Sequence, residues 1–280
     1  MARSLPAALC LLGVLALLPL AGCAAGRSTA SNPSPMTAPP SSTASTTPST
    51  APAAPQTGLL FRQAVAGGLA TKYAVYVPRQ YAADPAKRWP LLVFLHGRGE
   101  CGTEGVRQTA VGLGPAVLIQ PDKWPFVILM PQKPDPARQW AEYEPMVLDL
   151  LRATATEFNT DPQRTYLTGL SQGGAGTWAI GSKHPQLFAA LAPVCGYGDA
   201  PALAPGLVGK PIWTLHGEKD DVVPPERTRV IVSAVQAAAG PDRAGLLKAT
   251  YLPDANHNSW DAAYRQFDLG AWLLSHRLDR

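Results

Sequence analysis

The chain has 280 residues, 46% of them hydrophobic and 16% charged, with a formal net charge of +4. Arg3 and Arg27 are the only charged residues before Gly58, so the stretch from Gly58 onward holds 22 basic against 20 acidic side chains. That near balance, with no lysine and arginine stripe, argues against a nucleic-acid partner.

Arg3 followed by the apolar run Leu5 to Leu20 has the layout of a secretory signal. The run is shorter than the roughly 20 apolar residues that a membrane-spanning helix needs. Leu20-Ala21-Gly22-Cys23 resembles the lipobox of bacterial lipoproteins. The resemblance implies a signal over residues 1–22, lipid on Cys23, and an exported protein anchored on the periplasmic or cell-surface side. The alternative is a plain secreted protein cut near Ala25. From Ala24 to Thr57 the chain is almost wholly Ala, Ser, Thr, Pro and Gly, with no Val, Leu, Ile or aromatic residue to build a core. Residues 23–57 therefore read as a lipidated cysteine and a tether, whose reach in polyproline geometry is on the order of 100 Å.

Residues 58–280 form one domain's length of chain, enough to bury a substantial core. Apolar and β-branched runs bounded by Gly, Pro and Asn predict eight strands. They lie near Leu59 to Val65, Lys72 to Val77, Leu91 to Leu95, Phe126 to Met130, Thr165 to Thr168, Ala189 to Val194, Ile212 to Leu215 and Leu247 to Leu252. The first two read as an antiparallel pair joined through Gly67-Gly68. Val147, Leu150, Leu151, Thr154 and Phe158 mark one face of a helix that stops at the breaker Asn159-Thr160-Asp161-Pro162. Further helices are expected after Ser171, from Glu226 to Ala238 and from Asp261 to Leu278. Strands interleaved with helices imply an α/β fold, a mostly parallel sheet covered on both faces, with ligands at the carboxyl ends of its strands.

Gly97-Arg98-Gly99-Glu100-Cys101-Gly102 fits the dinucleotide fingerprint, and Asp122 follows about 20 residues later. A cofactor-binding oxidoreductase is thereby raised, and placement argues against it. Asp122 precedes a strand instead of ending one, and Thr103-Glu104-Gly105 stands where the fingerprint needs a helix to begin. No cofactor is expected. No Cys-x-x-Cys or His-Glu-x-x-His spacing supports a metal site.

Gly169-Leu170-Ser171-Gln172-Gly173 fits the Gly-x-Ser-x-Gly nucleophile elbow and sits between a strand and a helical pattern, where that motif works. A serine hydroxyl needs a base, and the base needs an orienting carboxylate, in the order Ser, acid, His along this kind of chain. His96 and His216 end strands just before glycine, His184 precedes proline and His276 falls in the last helical stretch. His257 alone lies in a short polar loop after the last strand, which makes it the candidate base. For the acid, Asp220 and Asp221 both qualify by position.

Leu95-His96-Gly97-Arg98-Gly99-Glu100, Gly169-Leu170-Ser171-Gln172-Gly173-Gly174, His216-Gly217-x-x-Asp220-x-Val222-Val223-Pro224 and His257-Asn258-Ser259-Trp260 together resemble serine esterases of the α/β-hydrolase fold. The likeness is to the carboxylesterase and phospholipase group and to feruloyl or acetylxylan esterases. It spans nearly the whole domain in order. It implies that Asp220 is the triad acid with Ser171 and His257, and that the backbone N–H groups of Arg98 and Gln172 form an oxyanion hole. The substrate it implies is a carboxylic ester, small or polymer-linked. Related sequences often carry a basic residue where Cys101 stands, so the oxyanion loop is expected to be held differently here. A prolyl-oligopeptidase-like peptidase is the alternative enzyme, weakened by the absence of that group's large extra domain. A noncatalytic surface-binding protein on the same scaffold is the other alternative.

The stretch between Val194 and Lys210 has no room for a large cap domain, so an open pocket is expected. Trp140, Tyr197 and Trp260 are candidates to line it, with Trp260 foremost, and each fits ordinary packing at least as well. Cys101 and Cys195 both belong near the carboxyl edge of the sheet, and either a disulfide or two buried thiols fits the sequence.

Overall fold

The computed structural model describes residues 55–84, 86–241 and 245–279. The signal, Cys23 and the greater part of the tether lie outside the described residues. Eight strands form one sheet: β1 (Gly58–Ala66), β2 (Leu69–Val77), β3 (Trp89–Leu95), β4 (Val127–Pro131), β5 (Thr160–Leu170), β6 (Ala190–Val194), β7 (Ile212–Gly217) and β8 (Leu247–Leu252). Their spatial order is β1-β2-β4-β3-β5-β6-β7-β8. Only β2 runs against its neighbours; from β4 to β8 every pairing is parallel. The β1-β2 hairpin turns on Gly67 and Gly68, both at positive φ (56° and 76°), the geometry of a two-residue turn that matches strand twist.

Seven helices join the described strands: α1 (Leu113–Ile119), α2 (Glu144–Glu157), α3 (Gln172–Lys183), α4 (Ala200–Leu207), α5 (Glu226–Ala239), α6 (Ser259–Arg265) and α7 (Leu269–Leu274). Side-chain alternation along the strands splits the core into two layers. Leu91, Val93 and Leu95 of β3 pack with Met146 and Val147 of α2, Trp178 of α3, Leu203 of α4 and Ile231 of α5. Leu92 and Phe94 point the other way, onto Val117 of α1, Tyr264 of α6 and Leu273 of α7. Burial on both faces explains why the parallel strands read as continuous apolar runs.

Three expectations need correction. The closing helix expected from Asp261 to Leu278 is two short helices, because the chain turns at Gln266 to Asp268 so that Phe267 and Trp272 both pack edge-on against Trp213 (ring centroids 5.8 and 5.6 Å). Thr160-Asp161-Pro162 is not only a breaker. It opens β5, and a register shift between Trp89 and Leu91 of β3 absorbs the extra residues. Helices α1 and α4 were not expected; α4 carries Pro201 in its first turn and Pro205 within it.

The register fixes what the carboxyl edge presents. Leu95 of β3 pairs with Gly169 of β5, and Leu170 with Val194 of β6, so the residues that follow, His96, Ser171 and Cys195, emerge side by side. Gly217 of β7 pairs with Leu252 of β8, which launches the Asp220 and His257 loops together. Lys219 joins those loops, its N–H donating to Ala255 O (3.0 Å) and its Nζ to Asp254 Oδ1 (2.7 Å).

Candidate active site

Ser171 sits between β5 and α3 at φ 54° and ψ −116°, a conformation that costs an L-residue free energy and persists only where the surroundings impose it. Its N–H donates to Val194 O (2.9 Å) and approaches Cys195 Sγ (3.3 Å). A Cβ on Gly173 would collide with the Leu95 carbonyl, and one on Gly169 with the Gly173 carbonyl. The two glycines therefore let strand, turn and helix close tightly enough to push the serine hydroxyl out above the sheet.

The hydroxyl meets His257. Ser171 Oγ lies 3.0 Å from His257 Nε2, and His257 Nδ1 lies 2.8 Å from Asp220 Oδ2. A carboxylate only accepts, so Nδ1 carries the ring proton and Nε2 is left to take one from the serine. The Asp220 side chain is fully buried and that of His257 is 18% exposed. Asp220 Oδ1 accepts the N–H groups of Val222 (3.0 Å) and Val223 (2.8 Å), which anchors the carboxylate independently of the histidine. Asp221, the other candidate acid, is exposed.

A second histidine backs the carboxylate. His216, fully buried at the end of β7, places Nε2 3.1 Å from Asp220 Oδ2 and 2.8 Å from Val223 O, with Nδ1 2.8 Å from Thr228 Oγ1. Burial pulls its pKa down, so it is neutral and its single ring proton points between the two oxygens. The other histidines lie apart. His184 Nε2 contacts Glu144 Oε1 (2.8 Å), and His276 lies past the end of α7, its ring edge-on to Trp272.

The loop after β3 is pinned from beneath. His96 is fully buried, which brings its pKa down to about 3; its Nδ1–H donates to Gly97 O (2.6 Å) and its Nε2 accepts the Lys133 N–H (3.1 Å). Gln132 Nε2 donates to Glu100 O (2.9 Å). Lys133, also fully buried, directs Nζ at Cys101 Sγ (3.2 Å) and at the carbonyls of Asp135 (2.7 Å) and Arg138 (2.8 Å). Lys133 thus brings a basic group under the loop after β3 from just beyond β4. Arg98 and Gln172 each open a helical turn, Arg98 after Gly97 and Gln172 after Ser171. Their N–H groups belong to the donors that a helix start leaves unpaired.

These elements enclose a cleft of about 650 Å³ lined by Ser171, His257, Gln172, Arg98, Arg227 and the rings of Tyr197 and Trp260, among others. Trp260 meets the His257 ring edge-on at 5.2 Å, and Tyr197 OH donates to Gln139 Oε1 (3.1 Å). Trp140 is a correction. It is fully buried beneath the oxyanion loop, donating Nε1–H to His96 O (2.9 Å) with its ring against the imidazole, and does not reach the cleft. The His96 carbonyl satisfies the indole N–H, which burial would otherwise leave unpaired. Cys101 and Cys195 are both buried free thiols, so the disulfide alternative does not hold.

This sheet order, with the serine turn after β5 and the histidine loop after β8, superposes on a solved thermostable esterase with a TM-score of 0.69 at 32% identity, over 79% of this chain and 63% of that one. The chain has the α/β-hydrolase fold. No family model matches it. It is similar to NocK of Nocardia uniformis subsp. tsuyamanensis, a protein named as an esterase, at 27% identity over 225 residues, 76% of this chain and 64% of that one. It is similar also to feruloyl esterase B of Neurospora crassa, at 26% identity over 137 residues, 45% of this chain and 44% of that one. The chain therefore spans less than two thirds of the length of these relatives.

In this fold the glycine-rich run after β3 forms short 3-10 turns, and the next α-helix begins only at Leu113, so no helix start faces a pyrophosphate there. Among the described residues, the one trio of metal-ligating side chains whose ligand atoms lie within 4.8 Å of one another is Cys195, Asp220 and His257. Burial pushes the Cys195 thiol up to about 12, and the other two already bond each other, so the trio is poorly suited to a metal. Between β6 and β7 the only α-helix is the eight-residue α4, and no inserted layer covers Ser171 among the described residues. No helix among them is long and apolar enough to cross a membrane.

Proposed function

We propose that this chain is a serine esterase that cleaves carboxylic esters through an acyl-enzyme. The observation that carries the reading is the unbroken contact from Ser171 Oγ to His257 Nε2 (3.0 Å) and from His257 Nδ1 to Asp220 Oδ2 (2.8 Å) at the mouth of an open cleft. Ser171 Oγ attacks the ester carbonyl as His257 takes its proton, and Asp220 holds the ring in the competent tautomer and stabilises the imidazolium. The N–H groups of Arg98 and Gln172 receive the oxyanion, a kind of donor worth about 3 kcal/mol each in the transition state. His257 then protonates the leaving alcohol, and water enters by the same route to release the acid. Relatives named as esterases support the activity.

The substrate proposed is a bulky, polymer-linked ester, met outside the cytoplasm by an enzyme tethered through lipid on Cys23. An uncapped cleft favours it, as do the walls offered by Trp260 and Tyr197 and the low-complexity segment of residues 24–57. The similarity to a feruloyl esterase points the same way.

The full chain is expected to hydrolyse 4-nitrophenyl acetate, with Ser171→Ala lowering turnover by roughly four or more powers of ten. Equal rates for the two proteins contradict the mechanism. Radiolabelled palmitate is expected to enter the wild-type chain and not Cys23→Ser; equal labelling contradicts the anchor.

A further inference from the structure

Twelve arginines lie among the described residues, and eight of them form an ion pair with an aspartate or glutamate. The four that do not are Arg79, Arg88, Arg98 and Arg227. Two of these four, Arg98 and Arg227, line the cleft at Ser171, and neither side chain has a hydrogen bond, ion pair or ring contact among the described residues. They are rooted on opposite sides of the nucleophile. Arg98 follows Gly97 at the end of β3, which flanks β5 on one side; Arg227 lies in the first turn of α5, just after the loop that leaves β7 on the other side.

No acid in the cleft balances this pair. Asp220 is fully buried and its two oxygens are occupied by four donors. Glu100 is the one carboxyl side chain among the lining residues. Its Oε2 is buried without a partner, burial raises its pKa, and among the described residues it forms no ion pair with either arginine. A guanidinium is weakly hydrated and presents paired N–H donors that match a carboxylate edge to edge, so two exposed, unclaimed arginines lining one open cleft offer a receptor for a carboxylate.

We propose that Arg98 and Arg227 form an anionic subsite, and that the preferred substrates are esters bearing a free carboxylate a few atoms from the scissile bond. The inference rests on the esterase reading and names its substrate class. Arg98 acts here through its side chain, separately from its backbone N–H. The carboxylate belongs to the acyl part or to the alcohol part, and matched substrates separate the two: 4-nitrophenyl hemiglutarate against 4-nitrophenyl butyrate for the acyl side, and 4-acetoxybenzoate against its methyl ester for the alcohol side.

The test is the ratio of kcat/KM for the charged over the neutral member of each pair, in the full chain, in Arg227→Gln, and in the double variant Arg98→Gln with Arg227→Gln. The side that carries the carboxylate is expected to show a ratio that falls about fivefold or more in the double variant, mainly through KM. In the wild-type protein the same ratio is expected to fall as sodium chloride rises from 10 mM to 500 mM, because exposed charges are screened. Replacement by lysine at both positions keeps the charge and is expected to retain part of the preference. Hydrolysis of all four esters at ratios that neither variant nor salt changes by more than twofold overturns the subsite and leaves the esterase reading standing. No hydrolysis of any ester by the wild-type chain overturns both.

Discussion

His216 Nε2 lies 3.1 Å from Asp220 Oδ2, the same oxygen that His257 Nδ1 holds at 2.8 Å. The triad acid is therefore clasped between two imidazoles, one reaching the cleft and one sealed in the core. A neutral N–H donor on Oδ2 helps to hold the carboxylate in place for His257. Removing that donor in His216→Ala is expected to lower kcat by about tenfold, the scale of a hydrogen bond to a charged group. His216→Gln, which keeps an N–H donor, is expected to recover most of that loss. A folded His216→Ala protein with an unchanged kcat contradicts this role.

The elbow makes a steric prediction. Gly173→Ala drives a methyl group into the Leu95 carbonyl, at the end of the strand that carries the oxyanion loop. The substitution is expected to lower both Tm and turnover, whereas Gly245→Ala, with no atom within 4 Å of its new methyl, is expected to leave Tm unchanged. Equal Tm for the two variants contradicts the close approach of β3 and α3.

Buried neutral histidines set the acid response. His96 has a pKa near 3 in the folded chain, against about 6.5 for an unfolded histidine. Between those two values the unfolded chain binds the extra proton, so stability is full above about pH 6.5 and falls as pH drops toward 3. His216, lowered by the same cause, adds in the same direction. The urea midpoint is expected to fall between pH 7 and pH 4.5, and to fall less in His96→Gln. An unchanged pH slope in that variant contradicts the account.

The two domain thiols are both free and buried, and they differ in setting. Cys195 is fully buried with its pKa near 12, while Cys101 touches the Lys133 ammonium. Folded protein at pH 8 is expected to leave Cys195 unmodified by iodoacetamide, and urea is expected to expose both. A mapped Cys101 to Cys195 linked peptide contradicts the structure.

All eight strands and the order of the site residues were readable because each rests on local pattern. A parallel strand buried on both faces is a continuous apolar run, and an elbow announces itself through glycines at fixed spacing. What the sequence hid depends on contacts across the fold. Helices α1 and α4 are short and proline-bearing, so neither periodicity nor propensity marks them. Lys133 looks like any loop lysine until the fold brings it under Cys101, 32 residues earlier in the chain. From sequence Trp140 fits a cleft wall or ordinary packing, and only its bond to His96 O selects the second. His216 lay in plain view four residues before Asp220, and its strand-end position concealed that its ring turns back onto that acid.

The central claim is that Ser171 is a nucleophile made reactive by His257. Mass spectrometry of the full chain after exposure to a fluorophosphonate tests it most directly. The account predicts a single adduct on the peptide containing Ser171, absent in Ser171→Ala and slowed by orders of magnitude in His257→Ala. An unlabelled wild-type protein, or labelling that proceeds equally without Ser171 or without His257, would contradict it.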